Sequence, residues 1–411
     1  MFRIAGMAVG AVMAASMAVS AQAEAIKIAF IDPLSGPFAS SGTSGLAEWE
    51  FAVEELVNKP GVMGDQTFEI VPFDNKLSAK ESLIQLQVAI DQGIRIIAQG
   101  LSSGVANALT EAVAKHNRRN PGDQVIFINY AAIDPALTGE KCSFWHFAFD
   151  ANADIKMDAL TDVIAQDEGT KKIYLIGQDY SFGKAVAAAA VSELGEKRPD
   201  IQIVGNELHP IGKVKDFTPY ARKIVASGAD AIITGNWGSD MVGLGKAVIQ
   251  AGFTGPIYTY YASGNGITKT FGEAGKGVIH LIADSTLNPP ASDRMSAYVD
   301  AFKAKHPGKD ITLARITNAA EMLAKAIDAA GSTEAEAVAG ALAGMRHPSL
   351  WGSEVYVRPE DHQIIQDVHV LEHTNEGVIY DLDASGFGLV KSSTVSMAAM
   401  DSPTACTMTR P

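Results

Sequence analysis

The sequence predicts an α/β protein built as two doubly wound, Rossmann-like lobes, and three observations lead there. Short β-branched runs alternate with longer helix-patterned ones, which is the mark of βαβ units and a parallel sheet. That alternation is completed once and then begins again. The chain, at 411 residues, is too long for one ordinary compact core. A hydrophobic content of 47% against 19% charged residues supplies enough apolar side chains to fill two cores.

Residues 1–23 read as a removable export signal. Arg3 gives a positive start, Ile4 to Val19 is apolar or small, and Ala21-Gln22-Ala23 marks cleavage before Glu24. The apolar run is too short and too rich in Ala and Gly to span a membrane, and no later stretch offers about 18 uninterrupted apolar residues. No cysteine follows the cleavage point to carry a lipid. The expectation is a free periplasmic protein with no membrane insertion once the signal is removed.

In the first alternation, strands are expected at 26–31, 67–73, 94–98 and 125–129, with helices at 43–58, 79–91 and 104–117. Ser78-Ala-Lys-Glu81 forms a capping box, in which the Ser oxygen serves a free helix N–H and the Glu reaches back. The second alternation places strands at 172–176, 201–207, 230–234 and 257–260, and helices at 152–166, 182–195, 217–227 and 239–251. Another strand follows near 278–282, then helices near 292–305, 315–330 and 334–344. Val/Ile-rich pieces at 354–357, 364–371 and 377–381 have no helices between them, so either antiparallel pairing at an edge or a crossing between lobes is expected. Residues 386–411 are rich in Ser, Thr, Ala and Met and read as an irregular tail.

The formal charge is −14, and loss of Arg3 with the signal makes the chain more negative still. Without long Lys/Arg runs, such a surface excludes nucleic acid and anionic lipid as partners. The two cysteines, Cys142 and Cys406, are an even pair in an oxidising compartment, so they form either a disulfide tying down the tail or two separate thiols.

At Asp32-Pro-Leu-Ser-Gly-Pro-Phe38 the chain resembles the opening of periplasmic binding proteins of the Leu/Ile/Val type, which feed ATP-driven uptake transporters. The likeness continues through Gly100-Leu-Ser-Ser-Gly104, Asp134-Pro-Ala-Leu-Thr138, Tyr180-Ser-Phe-Gly183, Lys215-Asp-Phe-Thr218 and Ala229-Asp-Ala-Ile-Ile233. The resemblance implies two lobes joined by three crossing strands with ligand held in the interlobe cleft. Lobe 1 would comprise 24–148 plus 262–350, and lobe 2 would comprise 149–261 plus 351–385. It also implies partners: a small carboxylate-bearing solute, an inner-membrane permease and its ATPase.

Carried over residue by residue, the resemblance gives a candidate site. Ser102 and Ser103, between a strand and a helix, would bind a carboxylate through hydroxyl and helix-terminal N–H groups; the alternative use of Ser102 is a plain N-cap. Ser41 would close over the ligand. Tyr130, Ala131, Ala132 and Ile133 lie on the loop that embraces an amino acid's α-groups, although Ile133 stands where amino-acid binders usually place a Thr. Phe182 would stack on the ligand, with Tyr180 beside it, and Trp237 would either line the cleft or pack between the lobes. Tyr261 and Asn265, near a predicted crossing, are weaker candidates. Asp240 would pair with a ligand ammonium, or else simply favour a helix N-terminus.

The predicted solute is a branched-chain or similar apolar amino acid, on the strength of Asp240. An aromatic or other apolar carboxylic acid or amide is the alternative, on the strength of Ile133 and Phe182. A sensory receptor subunit on the same fold is a further reading. Gly100-Leu-Ser102-Ser-Gly104 also fits the nucleophile elbow of serine hydrolases, but it follows only the third strand and no oxyanion loop precedes it. An enzyme is therefore not expected. There is no P-loop, Cys-x-x-Cys or dinucleotide fingerprint, and His362, His369 and His373 read as surface residues, so neither cofactor nor metal is predicted.

Overall fold

The computed structural model describes residues 25–411, and the predicted export signal lies outside the described residues. The first sheet contains β1 (Ile26–Asp32), β2 (Phe68–Asp74), β3 (Ile96–Gln99), β4 (Ile126–Asn129) and β5 (His146–Ala148). Helices α1 (Ala39–Ala52), α2 (Ala79–Asp91) and α3 (Ser103–Arg119) connect them. The strand order is β2-β1-β3-β4-β5, and all neighbours run parallel. Strands β3 and β4 are buried along their whole length, as a parallel sheet covered on both faces demands. Ser78 caps α2 as the sequence predicts, its oxygen accepting from the Glu81 amide.

The second lobe begins with α4 (Ala153–Gln166) and β6 (Lys172–Gln178), followed by α5 (Ser181–Lys197), β7 (Gln202–His209), α6 (Thr218–Ala226) and β8 (Ala231–Thr234). It continues through α7 (Gly238–Gln250), β9 (Ile257–Thr259), α8 (Ile267–Phe271) and β10 (Ile279–Ala283). The chain then returns to the first lobe for α9 (Asp293–Lys305), α10 (Arg315–Ala330) and α11 (Ala335–Leu342). A small antiparallel sheet follows, of β11 (Arg346–Pro348), β12 (Glu354–Val357) and β13 (Ile364–Ile365). Strands β14 (Val368–Thr374) and β15 (Gly388–Val395) and the short α12 (Met397–Met400) close the order. The second sheet runs β15-β14-β10-β9-β8-β6-β7. It is parallel except where β14 meets β10 and β15.

Several expected boundaries move. Strand β10 pairs with β9, so 262–283 belongs with the second lobe and not the first. Val355, Val357 and Ile364 bury into the first lobe's core, so 351–365 belongs there. The lobes are joined by crossings at 149–152, 284–292 and 366–367. The predicted strand at 377–381 is absent: Asn288 takes the Ile379 and Tyr380 amides with its side-chain oxygen, pulling this stretch into a bend. Its place beside β14 is taken by β15, inside the tail expected to be irregular. Gly388 and Leu389 bury there while Lys391 to Val395 line a half-exposed edge, a pattern that the Ser/Thr content disguised. Beyond α12 the tail returns to the first lobe, where Cys406 is disulfide-bonded to Cys142 across a Cα separation of 5.7 Å.

The three histidines are buried, not on the surface. His362 stacks on Phe147 with ring centroids 4.0 Å apart, and His373 stacks on Phe387 at 5.1 Å. Burial pulls His362 down to about 4, so it packs as a neutral ring. Among the described residues, no cluster of three or more His, Cys, Asp or Glu could hold a metal. No described helix is long and apolar enough to cross a membrane.

Candidate ligand-binding cleft

Parallel strands deliver loops to their carboxyl ends, where helix-terminal N–H groups are left without backbone partners. Here the loops after β3, β4, β6, β8 and β9 and the first turn of α1 meet between the lobes and enclose a cleft of about 630 Å³, counting the part open to solvent. All the predicted site residues line it except Tyr130 and Asp240. Asn265 lines it too, while its side-chain oxygen meets the Ser40 and Ser44 hydroxyls.

Ser102 occupies the N-cap position of α3 but makes no capping hydrogen bond, and its φ of 78° is unusual for a residue with a side chain. Its hydroxyl and that of Ser41 have no protein partner among the described residues. The Ser103 and Gly104 amides likewise find no backbone acceptor in the first turn of the helix. The N-cap reading of Ser102 thus gives way to a free hydroxyl beside free N–H groups at the positive end of a long helix. Beneath this loop, the buried Asp32 carboxylate accepts the Gly100 and Leu101 amides, each at 3.0 Å, and the Tyr130 hydroxyl at 2.5 Å. Burial raises Asp32 to about 7, with those hydrogen bonds opposing. Tyr130 is therefore lobe packing. Gly100 is required above it, because a Cβ there would fall 2.6 Å from the Tyr130 ring.

Glu48 plays the same part for a wall segment that sequence reasoning missed. Its carboxylate takes the Thr312 and Leu313 amides, each at 3.0 Å, and burial raises it to about 7. Thr312 and Leu313 line the cleft from a stretch with neither helical nor strand periodicity, so no pattern marked them. Ser263 was missed for the same reason, Ile267 opens the short helix α8, and Gly238 carries no side chain to suggest a role.

The second lobe contributes rings. Tyr180 and Trp237 stand at the N-cap positions of α5 and α7, and the Trp237 indole donates to the Tyr180 oxygen at 2.8 Å. Burial pushes the Tyr180 phenol well up, so it keeps its proton. Phe182 meets Tyr261 with centroids 5.9 Å apart. Tyr261 donates toward Asp150 and the Ala131 carbonyl. Behind it, Asp150 joins Lys156 at 2.7 Å and Arg315 at 3.2 Å, and Arg315 joins Asp284 at 2.9 Å. This buried, charge-balanced group links α4, two crossings and α10.

Asp240 is not in the cleft wall. One of its oxygens accepts from Gln178 and from the Gly212 amide, each at 2.8 Å, so it fastens two loops of its own lobe. The loop expected to embrace an amino group is also engaged. The Ala131, Ala132 and Ile133 carbonyls accept from Tyr261, Asn129 and the Ala153 amide respectively. No charged side chain lines the cavity, and its free polar groups are neutral hydroxyls and backbone N–H groups.

Residues 25–377 match the family described as "Periplasmic binding protein". The chain belongs to this periplasmic binding protein family. Among its relatives is "Leu/Ile/Val-binding protein homolog 4" of Brucella abortus (strain 2308), 34% identical over 305 residues, which are 74% of this chain and 71% of that one. A solved structure of a leucine-, isoleucine-, valine-, threonine- and alanine-binding protein from Brucella ovis, in a closed conformation, superposes with a TM-score of 0.82 at 27% identity. That match covers 95% of this chain and all of the other. A solute-binding protein from Rhodopseudomonas palustris HaA2, solved with p-hydroxybenzoic acid, shares the fold at a TM-score of 0.76 and 22% identity, over 91% of this chain and 98% of the other. Periplasmic binding proteins are solute binders and not enzymes, which removes the hydrolase reading of Ser102.

Proposed function

We propose that this protein is the solute receptor of an ABC-type uptake transporter, and that its solute is a small monocarboxylic acid with a flat or branched apolar body and no ammonium group. The observation that carries this reading is the inventory of the cleft wall. Ser41, Ser102, the first turn of α3 and the Tyr180 phenol present donors to an anion, whereas a desolvated ammonium needs a carboxylate and meets none. Phe182, Trp237 and Tyr261 suit an aromatic or aliphatic body. The p-hydroxybenzoic acid of the Rhodopseudomonas protein is a solute of this kind on the same fold. Export by cleavage near Ala23-Glu24, and delivery of the closed form to a permease and its ATPase, complete the proposal.

Branched-chain amino acids are the second reading, favoured by the names of the Brucella relatives. A thermal-shift screen of ligand-stripped protein against benzoate, 4-hydroxybenzoate and leucine separates the two. A solute at 100 times its dissociation constant stabilises by about 2.7 kcal/mol. The proposal expects that response from an acid and little from leucine; the reverse order overturns the solute class.

A further inference from the structure

Phe38 ends the loop after β1 in the first lobe, yet its ring packs into the core of the second. It lies against Trp237 with centroids 4.4 Å apart and is only 3% exposed, although it does not line the cleft. The socket that receives it is made by two glycines. A Cβ at Gly212 or at Gly238 would stand 2.7 Å from the Phe38 ring, and both have positive φ, at 65° and 58°. The Gly212 amide is the one held by Asp240, whose second partner is Gln178. A buried carboxylate that touches no solute thus shapes a notch in one lobe for an aromatic ring of the other. Trp237, gripped by Phe38, directs its indole N–H to the Tyr180 oxygen, which leaves the Tyr180 proton for an acceptor in the cleft.

We propose that Phe38 is the cross-lobe latch of this protein: seated in the Gly212/Gly238 notch, it holds the lobes closed and fixes the Trp237–Tyr180 pair without touching the solute. The inference rests on the reading of the protein as a receptor that closes over its solute. Such a contact exists only in the closed arrangement, so it shifts the population of that state and slows solute escape more than it changes capture.

The test places spin labels on exposed Lys80 of the first lobe and Glu196 of the second, and follows their separation together with the binding kinetics of 4-hydroxybenzoate and of leucine. Removal of a buried Phe side chain is expected to reduce the closed-to-open ratio by about ten- to a hundredfold in Phe38→Ala. The dissociation rate of whichever probe binds rises by a like factor, the association rate changes less than threefold or so, and Phe38→Leu recovers part of the loss. Gly212→Asn, which keeps a residue tolerant of positive φ but fills the notch, reproduces the defect. Added to Phe38→Ala, it costs little more. Circular dichroism and the melting temperature of the ligand-free variants stay near wild type. Failure of wild type to bind either probe counts against the proposed solutes, while the label distances still judge the latch. Identical distance distributions in wild type and Phe38→Ala, or additive effects of the two substitutions, overturn it.

Discussion

The two walls of the cleft are built on opposite plans. The first lobe supplies small residues and the free backbone donors of Ser103 and Gly104, and its Gly100–Leu101 and Thr312–Leu313 segments are each fixed from behind by a buried carboxylate, Asp32 or Glu48. The second lobe supplies Tyr180, Phe182, Trp237 and Tyr261, fixed by ring contacts and by the Trp237–Tyr180 hydrogen bond. One wall is thus suited to holding the charged head of a solute and the other its body.

The largest expected effect concerns the strap that joins the two halves. The disulfide anchors the tail, after its strand in the second lobe, to Cys142 in the first. Replacing both cysteines with Ser lowers unfolding stability by about 3–5 kcal/mol, because it frees a very long loop in the unfolded chain. Denaturant titration measures this, and an unchanged midpoint removes the strap from the account.

Next comes the first wall. Ser102→Ala weakens solute binding by about 1–3 kcal/mol, the contribution of a free hydroxyl to a charged partner, whereas the Ser103 oxygen already accepts the Asp134 amide. Calorimetric titration giving the wild-type affinity removes this element from the site.

The support behind that wall is legible in pH. Burial raises Asp32 to about 7, so the folded protein holds this proton more tightly than the unfolded chain. The resulting stability is fully present below about pH 4 and lost as pH rises through about 7. The stability of wild type minus that of Asp32→Asn therefore falls between these limits, by about 1–4 kcal/mol. A difference that rises or stays flat over this window would contradict the buried, raised carboxylate.

The smallest effect belongs to the second wall's buried acid. Asp240→Asn retains an oxygen able to accept both the Gln178 and Gly212 donors, and it faces no solute. It should change affinity by less than about 1 kcal/mol, equally for solutes with and without an amine. A selective loss for amines, seen by competition binding, would restore Asp240 to the site.

Much of the fold was readable because parallel strands and amphipathic helices carry strong periodicity, and Ser78, the strand at 126–129 and the Ser102-Ser103 turn fall where pattern and capping chemistry put them. The tail was misread because an edge strand with one wet face needs Ser and Thr, the same residues that fill loops. The lining of the candidate cleft was readable where a strand hands over to a helix. Asp240 was not, because an acidic residue at a helix start looks the same whether its carboxylate faces a ligand or a neighbouring loop. Thr312 and Leu313 enter the wall through Glu48, 264 and 265 positions away along the chain, and no local pattern encodes such a contact.

Preference of the cleft for a carboxylate without an ammonium is read out by a matched pair: leucine and 4-methylpentanoate, which is leucine without its amino group. Calorimetric titration of ligand-stripped protein should find 4-methylpentanoate bound at least about tenfold more tightly, a difference of about 1.4 kcal/mol, because the ammonium of leucine is desolvated without a carboxylate partner. Tighter binding of leucine would contradict the account and return the protein to the amino-acid binders.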